Sequence, residues 1–275
     1  MARSREEFAE AVIRRIRDLE RSAVRKRLAL SGADALQASA ASTPPLGHPA
    51  FADLPLGASA STEAVAMFLD LRRFTARSFW DPPEQIIQVN VAVISELASA
   101  VEQHGGYVLG FRGDGVFACF DGAGQLDSRG VAGIAVGAAA WALDAVQSAL
   151  NDLLKVSSIE PVQVRAGLDY GRLDFVRIGS PFGGSEVNVL GFAANFASKC
   201  EKVALAWEVI VGESMASLLP DDDLTHHRDS PTDYARDGQT RSYRFYDVAL
   251  GKYLRHIQGV ADELHGVPVS EIRIR

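Results

Sequence analysis

The sequence predicts an α+β fold of the ferredoxin-like βαββαβ kind, one sheet with helices on one side. Short apolar runs of strand length alternate with longer runs at helical spacing, and a glycine-flanked turn joins two of the predicted strands into a hairpin. The 275 residues, 47% hydrophobic and 23% charged, are enough for one core with appendages.

The first segment, residues 1–30, is predicted to be an amphipathic helix. Phe8, Val12 and Ile16 recur on one side, and most arginines lie elsewhere. The pattern leaves open whether this helix packs on its own protein, on a second copy or on a membrane surface. Residues 31–62 are rich in Ala, Ser and Pro without periodicity, which is typical of a linker.

The main domain is predicted over residues 63–250, with a tail over 251–275. Apolar runs predict its strands and helical periodicity predicts its helices. The hairpin follows from two short apolar runs around the tetrapeptide RGDG at 112–115. The elements in order are a strand at 65–71, a helix from 83 to 101, strands at 107–111 and 116–120, a helix at 130–154, strands at 162–168 and 173–178, a helix at 189–202, a strand at 208–211, a short helix to 219 and a strand at 243–248.

Composition excludes several classes of protein. The two cysteines, Cys119 and Cys200, fit no zinc spacing and predict a reduced thiol pair. Residues 1–30 hold nine Lys/Arg and five Asp/Glu, so the other 245 residues carry a net charge of −11, which disfavours a nucleic-acid partner. The apolar run at 131–143 is too short to span a bilayer and no signal peptide is evident. We expect a cytoplasmic protein with no transmembrane segment.

Two aspartates are candidates for metal binding. Asp70 ends the first strand and Asp114 lies at the hairpin tip, so the topology brings both to one rim of the sheet. Two carboxylates on one rim suit hard divalent cations. Taken singly, each aspartate is equally typical of a turn.

Three further polar residues need an explanation. Asn195 and Lys199 share a helix face at i, i+4 spacing, which suits a phosphoryl group as well as a solvated surface. Arg165 lies within a buried strand and needs an anionic partner. The pair His226-His227 follows an acidic run and is predicted to be solvated.

These segments resemble the catalytic domain of class III nucleotidyl cyclases. The matching runs are MFLDLRRFT at 67–75, RGDGV at 112–116, VRAGLDYG at 164–171, and VLG at 189–191 followed by Asn195 and Lys199. The resemblance implies metal ligation by Asp70, Asp114 and the Leu71 carbonyl, catalysis by Asn195 and Lys199, phosphate contact by Arg165, two Mn²⁺ or Mg²⁺ ions, a nucleoside triphosphate substrate, and a homodimer whose composite sites each draw on both subunits.

The purine-reading positions of that family depart from its pattern. Gly110 stands where a base-reading lysine or glutamate is usual, and Asn188 stands where adenylate cyclases have aspartate or threonine. The sequences around Asp70 and Asp114 resemble those of the bacterial Pycsar pyrimidine cyclases. Phe74 and Arg112 are further candidates for substrate contact. That resemblance implies cyclisation of UTP or CTP in antiphage defence, and a separate effector that the cyclic nucleotide activates. The alternatives are an adenylate cyclase with an unusual base pocket and an inactive, nucleotide-binding regulatory domain.

Overall fold

The computed structural model describes residues 3–29, 46–180, 183–251 and 253, without the side chains of 23–29. The α-helices are α1 (Arg5–Ala29), α2 (Pro83–Gln103), α3 (Ser128–Ala145), α4 (Asn151–Val156), α5 (Phe192–Val203) and α6 (Glu213–Ala216). The strands are β1 (Ser59–Arg72), β2 (Tyr107–Arg112), β3 (Gly115–Phe120), β4 (Gln163–Gly179), β5 (Ser185–Leu190), β6 (Val209–Gly212), β7 (Leu224–His226), β8 (Thr232–Arg236), β9 (Gln239–Tyr243) and β10 (Phe245–Val248).

The predicted α+β fold is confirmed. Strands β2, β3, β1 and β4 lie side by side in that order, and helices α2 and α3 make the two crossovers, which is the βαββαβ arrangement. Strands β6, β10 and β7 extend the sheet beyond β4, and β5 pairs with the second half of β4. Strands β8 and β9 form a separate hairpin.

Helices cover both faces of the sheet, which corrects the expectation of helices on one side only. On β1, Val65, Met67 and Leu69 belong to the large core that also contains α1, α2 and α3. Ala64 and Ala66, which point the other way, belong to a smaller core with α5. The opposite face therefore carries α5, and this is the face that Asp70 shares.

The N-terminal helix packs on its own domain, which settles the question that its sequence pattern left open. Phe8 is 1% exposed and meets the Trp141 ring edge-on, with ring centroids 5.6 Å apart. Arg3 and Arg15 both pair with the buried carboxylate of Glu96 in α2, at 2.6 and 2.8 Å. The predicted helix over residues 1–30 is thus observed from Arg5 to Ala29.

Residues 46–62, which precede the predicted boundary at residue 63, pack against the domain. His48 is 7% exposed, lies 2.9 Å from a carboxylate oxygen of Asp121, and contacts the rings of Phe51, Tyr107 and Phe175. These buried aromatic contacts fix a segment whose composition is typical of a linker. Residues 31–45 and most of the predicted tail over 251–275 lie outside the described residues.

One described helical stretch, Ser128–Val156, is long and apolar enough to cross a membrane by length and composition alone. It consists of α3, a π-helical segment Val146–Leu150 and α4. Of its apolar window, 72% is buried inside the protein, as in a helix that fills a protein core.

Candidate active site

Strand β1 brings Asp70 to one end of the sheet, on the face that α5 covers. In register, Asp70 stands opposite Gly115 of β3 and Arg165 of β4. A Cβ atom on Gly115 would lie 2.9 Å from the Leu69 carbonyl oxygen and 3.3 Å from Oδ1 of Asp70. Glycine at this position therefore lets the β2–β3 hairpin approach the carboxylate closely.

The hairpin tip places Asp114 beside Asp70. Arg112 pairs with Gly115 across a two-residue turn, and Gly113 takes a φ of +66° there, as the prediction of a tight hairpin requires. The Leu71 amide donates to the Asp114 carbonyl oxygen at 3.0 Å. Burial, and after it the negative charge of Asp70, raise the pKa of Asp114 above its ordinary value. The two aspartates are thus close enough to repel each other.

Every guanidinium nitrogen of Arg165 has a protein partner. Nε and Nη2 donate to Oδ2 of Asp70 at 3.1 and 2.8 Å, and Nη1 donates to the carbonyl oxygens of Lys202 and Ala204 at 3.1 and 3.3 Å. Nη2 also lies 2.5 Å from Oε1 of Glu201. The predicted need for an anionic partner is therefore confirmed. With these contacts in place, a phosphate contact by Arg165 stays a prediction.

Sequence reasoning missed Glu201. This residue lies on the buried face of α5, four positions after Ala197, and is 7% exposed. Burial, and after it the charge of Asp70, raise the pKa of Glu201 above its ordinary value. An acidic residue on the apolar side of an amphipathic helix was the available signal, since such a carboxylate needs a cation nearby.

The residues at this end of the sheet fit a hard divalent cation. Mg²⁺ and Mn²⁺ prefer oxygen ligands, and the site offers the carboxylates of Asp70 and Asp114. Leu71 is 1% exposed and packs in the core of the opposite face, so its side chain does not face the site. The mutual repulsion of the two aspartates is the electrostatic situation that a bound cation relieves.

Asn195 and Lys199 lie elsewhere, on the outer face of α5. Both are exposed, whereas Phe196 and Cys200 on the inner face are buried. The Lys199 ammonium lies 5.4 Å from the ring centroid of Tyr234 in β8. An open pocket of about 400 Å³ is lined by Phe192, Asn195, Phe196, Ser198, Lys199, Lys202 and Tyr234.

These two residues and the aspartates form separate groups. Among the described residues, neither Asn195 nor Lys199 has a hydrogen bond or ion pair with Asp70 or Asp114. Tyr234, which completes the pocket, was missed because its strand is exposed and has no apolar alternation. One chain thus presents a carboxylate site and an amide-ammonium pocket as two surfaces.

The remaining predicted contacts differ in their exposure. Arg112 is exposed at the end of β2, and Asn188 is half-buried in β5, where its Oδ1 accepts from the Val189 amide at 2.9 Å. Their substrate contacts stay predictions. Phe74 is 6% exposed, packs in the large core and lies under the Arg77 guanidinium. Its burial argues against the predicted packing of Phe74 on a substrate.

A second buried carboxyl group, that of Asp169, is linked to α5 through Tyr243. Asp169 is fully buried and accepts hydrogen bonds from the Tyr243 hydroxyl at 2.7 Å and from the amides of Tyr170 and Met215. Burial raises the pKa of Asp169 to about 7, although these donors favour its charged form. The Tyr243 ring packs 3.9 Å from that of Phe196, and so joins this carboxyl to the helix.

His226 is exposed, as predicted, whereas His227 is buried, which corrects the prediction for that residue. It is 4% exposed and groups with Glu208 and Asp247, with ligand atoms within 4.8 Å of one another. The Asp229 amide donates to its Nδ1 at 3.1 Å, so the neutral ring carries its proton on Nε2. Neither ring nitrogen of that neutral form then has a lone pair free for a metal, and the group is better explained as a structural contact of the residue after β7 and the residue before β6 with β10.

Comparison with known proteins gives consistent results. The family model described as adenylate and guanylate cyclase catalytic domain matches residues 58–244. A protein named cytidylate cyclase from Escherichia coli is 25% identical over 234 residues, which cover 83% of this chain and 47% of that protein. The chain thus spans about half the length of this curated relative.

Solved structures show the same fold. The adenylyl cyclase CyaB from Pseudomonas aeruginosa superposes with a TM-score of 0.60 at 21% identity, over 70% of this chain and 95% of that one. The guanylyl cyclase Cya2 gives 0.57 at 22% identity, over 71% and 94%. A class III adenylyl cyclase-like ATP-binding protein from Pseudomonas aeruginosa gives 0.56 at 20% identity, over 66% and 40%.

The family model covers well over half of the chain, and the observed fold is that of the solved cyclase structures. The chain belongs to the adenylate and guanylate cyclase catalytic domain family.

Proposed function

We propose that this cyclase domain is a pyrimidine nucleotide cyclase, which converts UTP or CTP to the 3′,5′-cyclic nucleotide and pyrophosphate. The observation that carries the proposal is the convergence of Asp70 and Asp114 in a chain whose purine-reading positions are Gly110 and Asn188. A site built to read a base rejects other bases through the polar groups they would leave unpaired. The relative named cytidylate cyclase supports the same substrate class.

One group of residues in this chain would bind the cations, and a second group would bind the substrate. Asp70, Asp114 and the Leu71 carbonyl would hold two Mn²⁺ or Mg²⁺ ions, with Arg165 fixing one carboxylate oxygen of Asp70. When bound, divalent cations neutralise the triphosphate and lower the pKa of the ribose 3′-hydroxyl. Asn195 would orient the ribose, and Lys199 would stabilise charge that develops on the phosphoryl group. Because the nucleophile and the phosphorus atom belong to one molecule, holding its folded conformer is the protein's main contribution.

The separation of the two groups supports a homodimer with two composite sites. Asn195 and Lys199 point outward from α5, whereas Asp70 lies beneath that helix and is tied to its C-terminal end. A second copy related by a twofold axis would bring the pocket of one chain to the aspartates of the other. The dimer would then contain two equivalent sites, each with the carboxylates of one chain and the pocket of the other.

The biological setting is proposed from the resemblance to Pycsar cyclases. In that setting the cyclic nucleotide would be a second messenger of bacterial antiphage defence in the cytoplasm. It would activate a separate effector without direct contact between the two proteins. The buried, reduced pair Cys119 and Cys200 is compatible with a cytoplasmic protein.

Product analysis separates this function from its two alternatives. The purified chain is incubated with ATP, GTP, CTP or UTP and Mn²⁺, and cyclic products are identified by mass. Cyclic UMP or cyclic CMP supports the proposal. Cyclic AMP alone would favour an adenylate cyclase with an unusual base pocket. The absence of any product would favour a regulatory domain that only binds nucleotide, as the name of one structural relative describes that protein.

Substitution of the aspartates tests the site itself. Asp70→Asn and Asp114→Asn are expected to abolish turnover while circular dichroism and thermal unfolding show a folded protein, because each removes a carboxylate charge from the cation site. Asp174→Asn is the matched control, since Asp174 is a carboxylate of β4 paired with Arg172 on the surface. Wild-type cyclisation by either site variant would refute the metal assignment.

A further inference from the structure

Two carboxylates share the guanidinium of Arg165, and they come from different elements. Asp70 belongs to β1 and accepts from Nε and Nη2, while Glu201 belongs to α5 and lies 2.5 Å from Nη2. The side chains of Asp70 and Arg165 are less than one-fifth exposed, and that of Glu201 is 9% exposed. The three groups therefore interact with little screening by water.

The backbone is built to bring Glu201 to this position. Gly167 follows Arg165 by two residues on the same face of β4, and a Cβ atom there would lie 2.0 Å from the Glu201 amide nitrogen and 2.3 Å from the Ala197 carbonyl oxygen. Helix α5 thus rests directly on the strand. The Lys202 and Ala204 carbonyls, which accept from Nη1 of Arg165, fix the end of the same helix.

Glu201 adds a third carboxyl group to the surroundings of the cation site. Arg165 is the guanidinium that Asp70 and Glu201 share, at 2.8 and 2.5 Å from Nη2. Without the Glu201 carboxylate, the positive charge of Arg165 would act more fully against a cation bound at Asp70. Partners behind a metal ligand typically change metal affinity by about 10- to 100-fold when they are lost.

We propose that Glu201 is a positioning residue, which holds Arg165 against α5 and so sets the affinity of the Asp70 and Asp114 carboxylates for a divalent cation. The inference rests on the proposed function, because it concerns the same metal site. Glu201 does not touch the substrate in this assignment. It acts through Arg165 on the ligand Asp70.

The test is a titration of the full chain with Mn²⁺ alone, without nucleotide, in which free Mn²⁺ is followed by electron paramagnetic resonance. With wild type and variant titrated at the same pH, Glu201→Gln is expected to weaken Mn²⁺ binding by about tenfold or more. Glu201→Asp keeps the charge and is expected to bind Mn²⁺ more tightly than the glutamine variant. The Mn²⁺ concentration that half-activates turnover should rise in parallel, while kcat at saturating Mn²⁺ changes little.

Glu96→Gln is the matched control. Glu96 is 3% exposed and also pairs with arginines, but it lies in α2 on the opposite face of the sheet. Its substitution should lower stability and leave the Mn²⁺ affinity at the wild-type value. A general effect of losing a buried glutamate would weaken binding in both variants and would overturn the inference.

The outcomes also separate this inference from the proposed function. If the wild type binds Mn²⁺ through Asp70 and Asp114, and both Glu201 variants bind it with unchanged affinity, the positioning role is wrong and the metal site stands. If the glutamine variant does not fold, the aspartate variant decides. Its carboxylate is one methylene shorter and loses the 2.5 Å contact with Nη2 of Arg165, so it should bind Mn²⁺ more weakly than the wild type, and wild-type affinity would overturn the inference. If Asp70→Asn and Asp114→Asn bind Mn²⁺ as the wild type does, the metal site fails and the inference with it.

Discussion

The contact between Gly167 and α5 can be tested by adding a single methyl group. In Gly167→Ala the new Cβ would lie 2.0 Å from the Glu201 amide nitrogen and 2.3 Å from the Ala197 carbonyl oxygen, both backbone atoms of one helix. Ordinary carbon contacts begin near 3.4 Å, so α5 has to retreat by more than 1 Å. Because no flexible side chain can move aside, the helix moves as a unit and loses part of its packing with Ala64, Ala66 and their neighbours.

Overpacking of this kind costs about 1–3 kcal/mol, and backbone contact puts the expected loss at the upper end, about 3 kcal/mol in the free energy of unfolding. Urea unfolding followed by circular dichroism measures it. Gly110→Ala is the matched control, because the same methyl group in β2 meets nothing within 4 Å, and its unfolding free energy should stay within about 0.5 kcal/mol of wild type. Equal stability of Gly167→Ala and Gly110→Ala would refute the close seating of α5 on β4.

Two further predictions concern the other face of the sheet and the buried carboxyl beneath α5. Phe8→Ala should lower the free energy of unfolding by about 3–4 kcal/mol, because it leaves a cavity beside Trp141, and an unchanged urea midpoint would contradict the docking of α1. The pKa of Asp169 is about 7 in the folded state and about 3.9 in the unfolded state, so protonation of this group stabilises the folded protein. The stabilisation is fully present below about pH 4 and is lost as the pH rises to about 7. The total loss in the free energy of unfolding is about 4 kcal/mol. Asp169→Asn should remove this decline in urea unfolding measured from about pH 5 to pH 8, and parallel curves for the two proteins would show that Asp169 does not hold its proton.

The core of the fold could be predicted because its signals are local. Strand β1 and the β2–β3 hairpin follow from apolar runs and a glycine turn, and topology alone places Asp70 beside Asp114. The ends of the strands are harder to predict, because they depend on pairing with residues distant in the sequence. The two strands predicted at 162–168 and 173–178 are one strand of 17 residues, because both halves pair with β1.

Elements that depend on tertiary contacts were missed. Strand β5 was not predicted: its last two residues fall within the helix predicted at 189–202, and residues 185–188 have no predicted element. Its alternation of Val187 and Val189 is short, and its partner is the far end of β4. The β8–β9 hairpin is exposed along most of its length, so its sequence has no alternating apolar pattern that predicts strands. Glu201 and Tyr234 acquire their roles only through residues distant in the sequence, Arg165 and Lys199 respectively.

The docking of α1 changes the meaning of the uneven charge along the chain. Arg3 and Arg15 neutralise Glu96, and Arg5 pairs with Asp144 at 2.6 Å, so the basic first segment and the acidic body attract each other within one molecule. Because these arginines are paired within the protein, they are not available to bind a polyanion such as a nucleic acid. Since their carboxylate partners are largely buried, moderate salt should loosen these pairs only weakly.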